Sequence, residues 1–109
     1  MIIRIDVRRL TDSAAMHAVL AEAFGLSDGY GRNLDALVDC LTDLDKPQTA
    51  MSRVQLFPGQ VALLSLEHTD GAKQPAQMQS LLDAVAFVNW RRLEQSQPPV
   101  LAVAYDRRS

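Results

Sequence analysis

The chain is poor in the groups that small proteins most often use for cross-linking or chemistry. Cys40 is its single cysteine, so no internal disulfide can form. The two histidines, His17 and His68, stand far apart, and neither a His-x-x-x-His nor a Cys-x-x-Cys spacing occurs, which removes the usual zinc arrangements. No Gly-x-Gly-x-x-Gly, Walker or nucleophile-elbow sequence is present, so nucleotide binding and hydrolase chemistry have no starting point. Aromatic residues make up only 6%. There is no apolar span long enough to cross a membrane, and residues 1–24 lack a charged n-region followed by an apolar h-region. A basic excess is missing too: Lys+Arg total 11 and Asp+Glu 13, for a net charge of −2. That balance argues against a nucleic-acid binder working through a basic face and suits a basic partner better. The expectation is a cytoplasmic protein that is not an enzyme, with no catalytic residue, no metal, no cofactor, no direct nucleic-acid contact and no membrane contact.

What is present is ordinary for a globular domain. At 109 residues, with 48% apolar and 22% charged residues, the chain suits a single domain over residues 1–109. Ile2 to Val7 alternates apolar and polar positions with β-branched residues, as a strand with one buried face does. From Asp12 to Phe24, apolar residues at Met16, Val19, Leu20, Ala23 and Phe24 follow a helical period, with Thr11 or Ser13 as cap and Gly25 as stop. Ser27 to Arg32 reads as a tight loop, its Gly29 and Gly31 free to take positive φ. Asn33 caps a second helix whose stripe of Leu34, Leu37, Val38, Leu41 and Leu44 runs to about Asp45. Pro47 ends that pattern, and the stretch to Gly59 reads as loop. Val61 to Leu66 is a continuous apolar run, expected as a parallel strand covered on both faces. A loop over 67–74 leads to a long helix over 75–95, Pro98-Pro99 closes it, and Val100 to Tyr105 is a further strand. The order β-αα-β-α-β implies a small α/β fold with parallel strands joined by helical crossovers.

The second helix is the informative segment. Asp35, Asp39 and Asp43 recur every four residues, with Thr42 beside them, on the face opposite the leucines. Residues 28–45 hold the acids Asp28, Asp35, Asp39, Asp43 and Asp45 against Arg32 alone, a net −4, whereas the rest of the chain nets +2. Like charges at i, i+4 cost a helix roughly 0.2–0.5 kcal/mol per pair, and only Asp35, in the first turn, gains clearly from the macrodipole. Two readings remain open: a solvated face that confers solubility, or an anionic docking surface that mimics a polyanion and steers a basic partner. A Mg²⁺ site on Asp35 and Asp39 would need oxygen ligands from a second element, and none is evident.

Tyr30-Gly31-Arg32-Asn33-Leu34-Asp35-Ala36-Leu37-Val38-Asp39-Cys40-Leu41-Thr42, preceded by Leu26, resembles the Y-G-x-N-L-D-A-L-x-D-x-L segment of the barstar family, intracellular inhibitors of microbial ribonucleases. The match is contiguous over the loop and second helix; elsewhere the chain agrees in element order more than in letters. The resemblance implies a small two-layer barstar-like α/β fold with a three-stranded parallel sheet. It implies a monomer that forms a 1:1 complex with a basic ribonuclease or RNase toxin as an immunity protein. Position by position, Asp39 would be the central phosphate mimic and Asp35 a second acidic contact. Tyr30, Gly31 and Asn33 would lie beside the nuclease cleft, Thr42 would add a rim contact, and Val38 and Asp43 complete the surface. Three positions depart from the namesake's pattern: Gly29 and Val38 stand where it has aromatic residues, and Asp43 where it has a small one. Asp83 or Glu94 could supply an acidic contact from the last helix, and the segment 46–59 is longer than its counterpart. The lost aromatics leave a second reading, a barstar-like adaptor or regulatory module for a partner that is not a ribonuclease.

Other residues have plainer roles. Asn33 is a helix cap whatever else it does, and Tyr30 divides between packing and contact. Cys40 is expected as a small buried hydrophobe, His17 and His68 as isolated side chains, and Trp90 as core or partly covered surface. Arg91-Arg92 and Arg107-Arg108 read as solvated ends.

Overall fold

The computed structural model describes residues 1–27, 29–46, 48, 52–69 and 75–106. Asp28, Pro47 and residues 49–51, 70–74 and 107–109 lie outside the described residues, and with them parts of the loops expected over 46–59 and 67–74 and the Arg107-Arg108 pair.

Three strands, β1 (Ile2–Asp6), β2 (Ala62–Glu67) and β3 (Leu101–Tyr105), form one parallel sheet in the order β1-β2-β3. They are joined through α1 (Ser13–Phe24), α2 (Leu34–Thr42) and α3 (Pro75–Glu94), so the β-αα-β-α-β order and the α/β class stand. A short 3-10 turn, Val7–Arg9, follows β1 and starts from Asp6, whose side chain accepts from the Arg8 amide.

The helix ends are set by local chemistry. Asp12, rather than Thr11 or Ser13, caps α1: its carboxylate accepts from the Ala15 amide at 2.7 Å, because its extended backbone aims the side chain back at the first turn. Gly25 closes α1 at φ 63°, and a Cβ there would come within 2.8 Å of the Arg53 side chain, so glycine is required twice over. Asn33 caps α2 by accepting from the Ala36 amide at 2.8 Å. The last helical residue of α2 is Thr42, short of the Asp45 that the leucine pattern suggests.

All three helices lie against one face of the sheet. Ile3, Ile5, Leu64 and Leu66 point into the core with Met16, Leu20, Phe24, Leu37, Leu41 and Val88. α1 packs on β1 and α3 on β3, while α2 packs mainly on α3. β2 corrects an expectation here. Its burial alternates instead of being continuous, because no described element covers the second face of the sheet. The register places Ile2, Leu63 and Ala102 side by side on that second face, with Ile2 and Ala102 exposed.

Candidate acidic docking site

α2 turns Leu37, Cys40, Leu41 and Thr42 inward and leaves Leu34, Asp35 and Asp39 exposed. Leu34 departs from the leucine stripe, since it sits at the first helical position, where the chain is still emerging from the loop. Asp35 lies in the first turn, where unpaired amides and the helix dipole favour a carboxylate. Asp39 follows one turn later and receives Arg91 Nη1 from α3 at 2.7 Å. Asp43 stands at the C-terminal end of α2 and pairs with Lys46 Nζ at 3.3 Å. The acidic row therefore survives in three dimensions, with local counter-ions at two of its three carboxylates.

Thr42 is corrected from an exposed to an interior position, and of the two readings of Tyr30 the structure shows packing. Thr42 is buried and its hydroxyl donates to the Val38 carbonyl at 2.6 Å, so it turns away from the aspartates instead of facing solvent with them. Tyr30 is buried in the core and its phenol shares a hydrogen bond with His17 Nδ1 of α1. Burial pushes the phenol up to about 12, so it stays neutral, and burial also lowers the His17 imidazole, with the Arg32 cation adding to that effect. The pair ties the loop before α2 to the helix behind it, and His17 is not isolated.

Positive φ in this loop belongs to Arg32, at 53°, and not to Gly29 or Gly31. Gly31 has tight surroundings instead. A Cβ there would stand 3.3 Å from Asn33 Nδ2 and 3.5 Å from the Ala36 Cβ, crowding the cap that starts α2. A Cβ on Gly29 would meet Ser27 Oγ at an ordinary 3.9 Å, so its described surroundings do not demand glycine.

Val38 is buried but borders a shallow pocket of about 150 Å³ between α2 and α3, lined by Leu34, Asp35, Val38, Asp83, Ala84 and Phe87. Of the two acids considered on the last helix, Asp83 faces this pocket with Asp35, while Glu94 closes α3 at its far end. Asp83 also accepts from Gln79 Nε2 at 2.7 Å.

Arg92 overturns the reading of the Arg91-Arg92 pair as a solvated end. It is 1% exposed, and its guanidinium grips Asp45 through two bonds of 2.8 and 2.7 Å. It also donates to the Thr42 carbonyl at 2.9 Å and to the Pro98 carbonyl at 2.7 Å. Asp45, lowered from its ordinary value chiefly by hydrogen bonding from Arg92, is thus a structural acid and not part of the docking row. Of the two readings of Trp90, core is excluded and partly covered surface stands, since it is 59% exposed. Helical spacing carries that signal, because Trp90 lies opposite the Leu81, Val85, Val88 and Arg92 face that α3 buries.

Among the described residues no group of three or more His, Cys, Asp and Glu side chains could hold a metal, and no helix is long and apolar enough to cross a membrane. Cys40 is a buried thiol whose ionisation is pushed up by burial and by the negative charges of Asp39 and Asp43. What the site can do is present oxyanions on a rigid helix.

The family model described as Barstar (barnase inhibitor) matches residues 1–103. The chain belongs to the barstar family. Within the matched span lie the α2 row, its loop and all of α3, so the barstar family assignment covers every element that builds the site. No curated protein gives a significant match to the chain.

Proposed function

We propose that this barstar-family chain is an immunity protein that binds a basic ribonuclease or RNase toxin one to one and occludes its active site without chemistry. The observation that carries the reading is the exposed pair Asp35 and Asp39, one turn apart on a helix that starts at the Gly31–Asn33 loop. Carboxylates so spaced can take the place of successive RNA phosphates among the Arg, Lys and His side chains of a nuclease cleft. Asp39 is the central contact, Asp35 the second, and Asp43 a rim charge. Gly31 and Asn33 lie beside the cleft at the start of the helix. Tyr30, Val38 and Thr42 support this surface from behind, through the His17 bond, the pocket wall and the Val38 carbonyl respectively. The setting is the cytoplasm of the cell that makes the nuclease.

A pull-down from the source cell's lysate and secreted fraction, with wild type and an Asp35→Ala/Asp39→Ala variant side by side, tests this reading. Recovery of a small basic ribonuclease by wild type alone supports it. A partner of another kind, held equally by both proteins, would make the chain an adaptor that reuses the fold.

A further inference from the structure

α3 leaves three large apolar side chains exposed, Phe87, Trp90 and Leu93, and two of them are aromatic. Phe87 is 55% exposed and Trp90 59%, although α3 buries its opposite face thoroughly. Asp83, Phe87, Trp90 and Glu94 succeed one another at spacings of four, three and four residues, which puts them on a single stripe. The stripe is continuous with the acidic row: Phe87 shares a pocket with Asp35, and Arg91, next to Trp90 in the chain, reaches Asp39. Asp83 and Glu94 flank the two aromatic residues on this stripe, while Arg91 pairs with Asp39 and Arg92 is buried against Asp45.

We infer that this aromatic stripe is the apolar anchor of the complex, binding Arg and Lys side chains on the rim of the same basic ribonuclease that α2 plugs. The inference rests on the inhibitor reading above. An acidic row alone gives steering and register, whereas tight association needs desolvated apolar contact near the charges, which aromatic residues supply in interfaces. α2 contains no aromatic residue, and its Val38 and Thr42 are buried. A guanidinium or ammonium laid on the Trp90 indole gains cation–π attraction, its aliphatic stem covers the ring, and Glu94 and Asp83 balance its charge. A neutral or acidic partner would leave those two carboxylates desolvated and unpaired.

The probe is barnase, titrated calorimetrically with wild type, Phe87→Ala, Trp90→Ala, Asp39→Ala and Ile2→Ala. Ile2 is the control because it is equally exposed, at 59%, but on the sheet face away from the helices. Thermal unfolding verifies that each variant is folded. Trp90→Ala is expected to weaken binding about tenfold, chiefly through faster dissociation, with a similar loss for Phe87→Ala and none for Ile2→Ala. Binding lost in Asp39→Ala but unchanged in both aromatic variants overturns the stripe while leaving the inhibitor reading intact. Absence of binding by wild type overturns both for barnase-type nucleases. A dimer of the chain alone that Trp90→Ala abolishes, with barnase binding unchanged, would assign the stripe to a second copy and overturn the inference.

Discussion

Arg91 Nη1 lies 2.7 Å from Asp39 Oδ1, so the carboxylate proposed as the centre of the docking surface is already met by a cation of its own chain. Both side chains are solvent-exposed, and such pairs are worth well under about 1 kcal/mol, so the contact is easily exchanged. It does, however, cancel one charge where attraction at distance matters most. Arg91→Ala should therefore accelerate association with a basic ribonuclease by about two- to fivefold at low salt, with the gain shrinking as salt rises. Stopped-flow mixing reads this directly. Slower association in the variant would instead make Arg91 a strut that holds Asp39 in its binding geometry.

The buried Arg92–Asp45 pair predicts a stability effect of a different size. Removing the carboxylate leaves a guanidinium inside the protein with only the Thr42 and Pro98 carbonyls as partners. Asp45→Ala is expected to cost about 3 kcal/mol or more in urea unfolding. Asp43→Ala, which breaks only the more exposed contact with Lys46, should cost about 0.5 kcal/mol or less. Similar small losses for both variants would mean that the interior adapts to an unpaired Arg92.

His17 predicts the pH dependence of folding. Its folded-state pKa lies below the ordinary 6.5, first because of burial and then because of Arg32, so the unfolded chain binds the proton more readily. The sign follows from linkage: the contribution is fully present above about pH 6.5 and is lost as pH falls through the lower folded value. Urea midpoints measured from pH 8 downward should fall across this window in the wild type. They should fall less steeply in a His17→Gln variant, and parallel curves for the two would remove His17 as the cause.

The phenol that meets His17 makes a related but separate prediction. Tyr30→Phe keeps the ring in the core but leaves His17 Nδ1 without its partner, which is expected to cost about 1–2 kcal/mol. Because the pair ties the loop to α1, amide exchange in the loop before Asn33 should also quicken relative to the rest of the chain. A stability loss without any change at the loop would make the hydrogen bond a core feature alone.

Where chemistry is local, the one-dimensional pattern carries the fold. Gly25 and Asn33 end and start helices through groups within a few residues of themselves, and both do so as their neighbours suggest. The exposed Asp35 and Asp39 follow from helical spacing in the same way. Long-range relationships are less visible. Arg92 looks like a surface residue in sequence because its partner Asp45 lies 47 positions away, and only the packing of α2 on α3 brings them together. His17 and Tyr30 meet for the same reason. β2 misleads because a continuous apolar run suits two covered faces, but the described helices all settle on one side of the sheet. Thr42 misleads by a rotation of the helix: it stands three residues from Asp39 and one from Asp43, yet its own position turns toward the core.

The most direct test of the inhibitor reading is the cleavage of RNA by barnase in the presence of increasing amounts of the chain, with Asp39→Ala and Glu22→Ala compared with wild type. Glu22 is an exposed acid on α1 that pairs with Arg9, so both substitutions remove one surface carboxylate from one ion pair. Wild type and Glu22→Ala should inhibit fully near one equivalent, while Asp39→Ala should lose about 3 kcal/mol or more of binding, as expected when a desolvated charge pair is broken. Equal inhibition by the two variants would contradict the role given to Asp39.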